Sequence, residues 1–356
     1  MQSINLRRQI VPDQPQGCSI GGIGKRRRVN PTLDKRTWSA EIVPINGPDD
    51  LRETTRGSDV EIVQLKPGKL RGSIKHFGVG NLVITSGRFS SEVRMRGTLH
   101  EEKIVLGTIL DSAGLSTQWW QDVQVGDVGV FPACGEFDAI HSGRTGYLTV
   151  SLALPDLLSV FGGEEHLADP GFWNKKRLCR PDPRTGAEML QRLKGMISAI
   201  ESKLTAPSDR AADFLQRSII ESFVAGLTRV LRPAIVRSYT GARLVTETED
   251  YVDAAGERPV HISELCSALK VSRRSLHRAF TDTLGIGPSA YLRRRRLSAI
   301  RSRLSRGDNP TISIADLAFE YGFPETGRFA AYYRAHFGET PSETLRSKSV
   351  SAQSVG

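Results

Sequence analysis

The chain has 356 residues, 38% hydrophobic and 25% charged, which is enough for two domains with sizeable cores. No apolar run approaches the roughly 18 residues of a membrane span, the basic start lacks the apolar stretch of a secretory signal, and Cys18, Cys134, Cys179 and Cys266 form no C-x-x-C pair. A transmembrane protein, a disulfide framework and a cysteine zinc site are thereby excluded, and a reducing cytoplasmic setting is expected. The net charge is +10 and it is segregated: residues 1–36 carry eight Lys/Arg against two Asp/Glu, residues 261–346 carry fourteen against eight, and the middle is slightly acidic. Two basic ends on a near-neutral body point to a polyanionic partner.

Residues 1–36 show no apolar period and place Gly21, Gly22 and Gly24 before Lys25–Arg28, so they are expected to be a disordered basic tail. Residues 37–185 are expected to form a β domain. "NLVITSGRF", "KIVLGTIL", "DVGVFP" and "GYLTVSLALP" are short apolar or alternating runs punctuated by Gly, Pro, Asp and Ser, the pattern of a sandwich or barrel. "VQVGDVGVFP" reads as a turn at Gly126–Asp127 feeding a strand that Pro132 ends.

Residues 186–240 change period. Leu190, Leu193, Ile197, Ile200 and Leu204 recur at 3 and 4, and Phe214, Leu215, Ile219, Phe223, Leu227 and Val230 line a second helix over 211–232. A helical hairpin linker is expected, its seam either packed within the chain or serving a homodimer. Residues 241–346 are expected to be an all-α domain, and 347–356 a second disordered tail.

In the all-α segment, Ser263 is expected to cap a short helix turning Ile262, Leu265, Cys266 and Leu269 inward. A turn at Lys270–Val271 follows, and Ser272 caps a second helix. Leu276, Ala279 and Phe280 take its packed side, which leaves Arg273, Arg274, His277 and Arg278 on the other. One packed stripe opposite one arginine-bearing stripe is what a helix needs to enter the major groove, where arginine reads guanine bidentately. About 52 residues later the design repeats, with Ile314, Leu317 and Ala318, a Gly322–Phe323 turn, then Phe329 and Tyr333. Between the units "PSAYLRRRRLSAIRSRL" reads as one long helix with Leu292, Ile300 and Leu304 on its apolar side and Arg293–Arg296 on or beside its polar side. Such a connector can hold both recognition helices on one DNA face, in successive major grooves about 34 Å apart.

Residues 261–346 resemble the DNA-binding domain of AraC/XylS-type transcription regulators, through "LGIGPSAYLRRRRL" with Tyr291 and Arg296 and through "IADLAFEYGFPETGRFAAYYRAHFGETPSE" with its Gly338…Pro341 turn. The resemblance implies base-reading positions at Arg274, His277 and Arg278 in the first unit and Thr326, Gly327 and Ala331 in the second. Ser272, Arg273, Arg328 and Arg334 are the expected phosphate or auxiliary contacts. Gly327 and Ala331 have no hydrogen-bonding side chain, so the first unit is expected to supply most base discrimination and the second to hold phosphates, read shape or touch thymine methyls. Lys270 stands where such turns commonly carry glycine.

The resemblance further implies a cupin-like β barrel or sandwich that senses a small molecule or drives dimerisation. "GDVGVFP" is similar to a cupin motif, but Asp138 stands near the place of a metal-binding histidine and His100 is followed by Glu101 and Glu102, so no metal and no cofactor are expected. His76, His100, His141 and His166 are expected to be surface or locally satisfied residues. Trp119, Trp120 and Phe137 are the candidates for an effector pocket; Trp38 and Trp173 are assigned nothing. No nucleophile elbow, phosphate loop or dinucleotide fingerprint is present, so the chain is not read as an enzyme. The resulting expectation is a cytoplasmic, ligand-responsive activator acting with double-stranded DNA, RNA polymerase, a small-molecule effector and a second copy. Its rivals are an effector-independent or architectural DNA binder and a small-molecule enzyme with an accessory DNA-binding domain.

Overall fold

The computed structural model describes residues 39–54, 58–99, 102–160, 165–202, 208–228, 230–233, 241–306 and 313–346. Both expected tails, Trp38, His100 and Leu204 lie outside the described residues, as does the side chain of His166. The strands are β1 (Ser39–Ile45), β2 (Asp59–Gln64), β3 (Gly72–Val79), β4 (Leu82–Phe89), β5 (Val93–Thr98), β6 (Ile104–Ser112) and β7 (Ser116–Gln118), then β8 (Gln121–Val123), β9 (Val128–Phe131), β10 (Glu136–His141), β11 (Thr145–Leu152), β12 (Arg177–Pro181) and β13 (Val230–Pro233). The helices are α1 (Pro48–Thr54), α2 (Leu154–Leu158), α3 (Glu165–Ala168), α4 (Pro170–Trp173), α5 (Pro183–Glu201) and α6 (Asp209–Thr228), then α7 (Ala242–Ala254), α8 (Ile262–Ala268), α9 (Arg273–Leu284), α10 (Pro288–Arg306), α11 (Ile314–Glu320) and α12 (Thr326–Phe337). Among the described residues no helix is long and apolar enough to cross a membrane.

Two antiparallel sheets are stacked, one in the order β1-β3-β4-β11-β6-β9-β12-β13 and one in the order β2-β5-β10-β7-β8. Strand alternation divides the side chains among three layers. Leu82, Ile84, Leu106, Leu148 and Val150 form one face of the first sheet and pack against Leu193, Ile197, Ile219 and Phe223 of α5 and α6. Ile74, Phe89 and Tyr147 on its other face meet Val60, Ile62, Val93, Met95 and Phe137 of the second sheet. The outer face of the second sheet gives Val63, Leu65 and Ile140 to a core shared with Val245, Leu265, Leu276 and Phe280 of the C-terminal helices. A further core, with Leu297, Ile300, Leu304, Leu317, Phe329 and Tyr333, closes the last two helices on α10.

The helical hairpin is therefore the outer layer of the β region. Leu193, Ile197 and Ile200 are buried in the chain's own core and Leu190 packs beside it, so the seam is used within the chain. A two-per-heptad stripe and the apolar face of a surface helix have nearly the same spacing, and the sequence does not separate them. Val230, expected on the second helix, instead opens β13, which pairs with β12. Pro233 disfavours helical geometry at the residue before it, so the chain leaves α6 extended.

Candidate nucleic-acid interface

The first helix-turn-helix unit is α8 and α9. His261, in extended geometry, caps α8 by accepting from the Ser263 amide at 3.3 Å, so the helix starts before Ser263, the expected cap. Ser272 caps α9 through the Ser275 amide at 3.0 Å, and left-handed Gly285 ends it. Leu276, Ala279, Phe280 and Leu284 are buried. Arg273, Arg274, His277 and Arg278 are exposed along the opposite side, with Arg278 Nε 3.4 Å from the Asp282 carboxylate one turn on. In the turn, Lys270 has φ +53°. A side chain at such a position costs about 1 kcal/mol relative to glycine. Lys270→Gly is expected to stabilise the chain by about that amount, read as a higher urea midpoint; a lower midpoint would refute the reading.

The second unit, α11 and α12, repeats the plan. Ser313 caps α11 through the Asp316 amide at 3.1 Å. Gly322, φ +76°, occupies the place of Lys270, and here the tight turn also brings its carbonyl within 3.2 Å of Arg296 Nη1. Phe329, Tyr333, His336 and Phe337 are buried, while Thr326, Gly327, Arg328, Ala331 and Arg334 are exposed. A Cβ added at Gly327 would meet nothing within 4 Å, and Arg328 reaches back to Glu325 at 3.3 Å. The exposed stripe of α12 thus carries only Thr326 as a hydrogen-bonding base-reading candidate, with arginines at its margins.

The arginines of the connector do not form a polar outer face. Arg293 lies over the Tyr332 ring at 4.4 Å and Arg296 over Phe323 at 4.9 Å. Arg294 donates to the Leu65 carbonyl, and Arg295 pairs with Glu61 at 2.9 Å and with Asp253. Four consecutive residues cover more than one helical turn, so a helix flanked on two sides must turn some of them inward. Further along, Arg301 joins Asp49 of α1 to Glu339, and Arg52 reaches Ser302 at 2.7 Å.

The deepest polar contact between the β region and the C-terminal helices was not singled out from sequence. Arg94 of β5 is 1% exposed and pairs with Glu249 of α7, Nη2 to Oε2 at 2.9 Å, and with Asp138 of β10. Tyr291 donates its hydroxyl to Glu249. Burial pulls the Arg94 pKa down, but the facing Glu249 and Asp138 carboxylates outweigh it and the net shift is upward. The available signal was "VRMRG", two arginines at alternate positions of a strand, which places both on one face. Arg96 indeed meets Asp250 and Asp253 beside Arg94.

The three effector-pocket candidates do not share one lining. Trp119 meets Phe131 at a tilt with centroids 4.9 Å apart, and Phe137 lies against the same ring at 5.6 Å. Trp120 faces the other way, into the core shared with α8 and α9. His76 Nδ1 lies 2.9 Å from Thr85 Oγ1. His141 departs from expectation: its Nδ1 is buried without a hydrogen-bond partner among the described residues, because β10 turns the ring between the sheets. Trp173 is fully buried in the core under α5 and α6.

A family profile described as "Helix-turn-helix domain" matches residues 265–347. The XylDLEGF operon transcriptional activator 1 of Pseudomonas putida is 38% identical over 100 residues, 28% of this chain and 30% of that protein. A probable thc operon regulatory protein of Rhodococcus erythropolis is 35% identical over 97 residues, 27% of this chain and 29% of that one. The solved structure of a probable AraC family transcriptional regulator from Rhodopseudomonas palustris is 36% identical over 30% of this chain and 98% of its own, with a TM-score of 0.28. The chain spans about three-tenths of the length of these curated relatives.

Proposed function

The chain belongs to the AraC/XylS family through its C-terminal helix-turn-helix domain, and from that premise we propose that it is a sequence-specific DNA-binding transcription regulator, an activator that responds to a small molecule. The observation that carries this reading is α9: a short helix buried along Leu276, Ala279 and Phe280 that presents Arg273, Arg274, His277 and Arg278 to solvent. In the proposed complex Arg274, His277 and Arg278 meet base edges. Thr326, Gly327 and Ala331 follow the groove one turn away, and Ser272, Arg273, Arg328 and Arg334 hold phosphates. The residues from 241 to 346 are the DNA-binding domain, and the sheets with α5 and α6 are the sensing domain. The regulator acts in the cytoplasm with RNA polymerase as its partner and pairs with a second copy through surfaces other than the buried α5 stripe.

Binding-site selection with the purified chain tests this. One recovered consensus with two blocks about one helical turn apart is the expected result, and sequence-independent recovery would sink the proposal in favour of an architectural binder. On the recovered site, log affinity should fall linearly with log salt. Arg328→Ala should weaken binding about equally across sequences and reduce that slope by about 1; an unchanged slope would remove Arg328 from the phosphate contacts.

A further inference from the structure

The exposed stripe of α12 runs through Gly327, Ala331 and Arg334 to Gly338, at helical steps of 4, 3 and 4. Its last position has no side chain of its own, Gly338 being left-handed at φ +72°. The β region fills the space. Lys69 Cγ lies 2.9 Å from where a Cβ on Gly338 would stand. Lys69 is itself exposed, so a cation from the β region sits at the end of the stripe that faces DNA.

Lys69 belongs to the β2–β3 loop, "LKPGKLR" over 65–71, and this loop is held at several points. The buried Gln64 amide donates to the Lys66 and Gly68 carbonyls, each at 2.6 Å, and the Leu65 amide donates to the Glu92 carbonyl at 2.8 Å. The Gly68 amide donates to the His336 carbonyl in the last turn of α12 at 2.9 Å, and Arg294 of α10 donates to the Leu65 carbonyl. Lys66 is engaged by Glu92 at 2.9 Å. The carboxylate nearest in charge to Lys69 is that of Glu343. Hydrogen bonds from the Thr340 amide and hydroxyl are the main causes of its lowered pKa, with Arg334 and Lys69 as smaller ones. Arg334 and Lys69 therefore bring positive charge to the same end of α12.

A helix of 12 residues is about 18 Å long, and Gly338 lies about 10 Å along the axis beyond Ala331. The major groove is about 8.5 Å deep and 12 Å wide. A helix that reads bases with its first half thus carries its last turn out to the bordering phosphates. The small residues Gly327 and Ala331 let the backbone approach closely, which brings that turn nearer still. The C-terminal end of a helix carries partial negative charge and repels a phosphate, so a contact there needs an added cation.

We propose that the β2–β3 loop is part of the DNA-binding surface, with Lys69 holding a phosphate at the border of the groove that α12 enters. This rests on the DNA-binding reading above and extends the interface beyond residues 241–346. The second unit, short of hydrogen-bonding base readers, is anchored on DNA partly by the β region.

The test uses the full chain and two duplexes of equal length, the site recovered by selection and a mixed-sequence control, since phosphate contacts act on both. At about 0.1 M salt, Lys69→Gln should weaken binding about five- to tenfold and reduce the slope of log affinity against log salt by about 1, the effect of one lost phosphate contact. Lys69→Arg keeps the charge and should keep the parent's slope. Acetylation of Lys69 by an N-hydroxysuccinimide ester, read by mass spectrometry, should slow severalfold when the selected duplex is bound. If Lys69 only caps the end of α12, Lys69→Gln will lower the urea midpoint while the slope and the acetylation rate on DNA stay as they were. That outcome overturns the proposal, as does a parental slope for Lys69→Gln at any urea midpoint. Arg328→Ala is measured alongside. A reduced slope for Arg328→Ala with none for Lys69→Gln removes the loop and leaves the helix-turn-helix reading standing. A reduced slope for Lys69→Gln on both duplexes, with no consensus from selection, keeps the loop and removes the sequence-specific reading.

Discussion

Glu249→Leu should lower the stability of the full chain by about 3–5 kcal/mol, the range for removing one partner of a buried ion pair, and urea denaturation will show it. The reason lies in what remains. Arg94 is held by Glu249 through two bonds, Nε to Oε1 at 3.2 Å and Nη2 to Oε2 at 2.9 Å. Asp138 and the carbonyls of Met95 and Ala139 engage Nη1 alone. Without Glu249, Nε and Nη2 are buried with no acceptor among these partners, and Tyr291 loses the carboxylate its hydroxyl donates to. Arg94→Met combined with Glu249→Leu should recover part of the loss, because the buried guanidinium is gone and the charge left without it, the Asp138 carboxylate, is the less buried one at 15% exposed. A single variant within about 1 kcal/mol of the parent, the behaviour of an exposed pair, would mean that water reaches this node and that it does not clamp α7 to the second sheet.

Arg278→Ala should weaken binding to the selected site by about 1–3 kcal/mol and relax preference at one base pair, a loss of roughly 5–150-fold in affinity. Ala331→Gly should change neither measurably. Arg278 is 81% exposed on its side chain and its pairing with Asp282 is a long 3.4 Å, one turn apart, so releasing it to reach a base costs no more than about 0.5 kcal/mol. Ala331 is exposed as well, but it offers only a methyl group. Comparing selected sequences for the two variants decides the matter. Ala331 substitutions that shift the preferred sequence more than those at Arg274 or Arg278 would reverse the proposed division between the two units.

The DNA-binding end was the most legible part of the chain. Leu276, Ala279 and Phe280, the Ser272 cap and the left-handed Lys270 turn lie within a dozen residues, and every residue of the exposed stripe follows from which neighbours are packed. β4, β6, β9 and β11 were legible as runs, since alternation and turn residues are local too, but their partners were not. β2 pairs with β5 and β11 sits between β4 and β6, orders that the runs do not encode. Lys69 looks like an ordinary residue of a turn between two strands; what distinguishes it is its place over Gly338, a property of the assembled layers.

Residue order alone thus settled the runs of β4, β6, β9 and β11, the presence of two helix-turn-helix units, and which side of each second helix is packed. Assembly settled the rest: that the α5 stripe covers its own sheet, that Arg294 and Arg295 turn toward the β region, and that Arg94 closes on Glu249. The physical division is one of range. Helical and strand periods, caps and turns are written in side chains a few positions apart. Arg94 and Glu249 are 155 positions apart, and Arg295 and Glu61 are 234. Such pairs exist only because the packed layers bring their strands and helices together, and whether an arginine is a solvated reader of DNA or a buried clamp depends on what then lies opposite it.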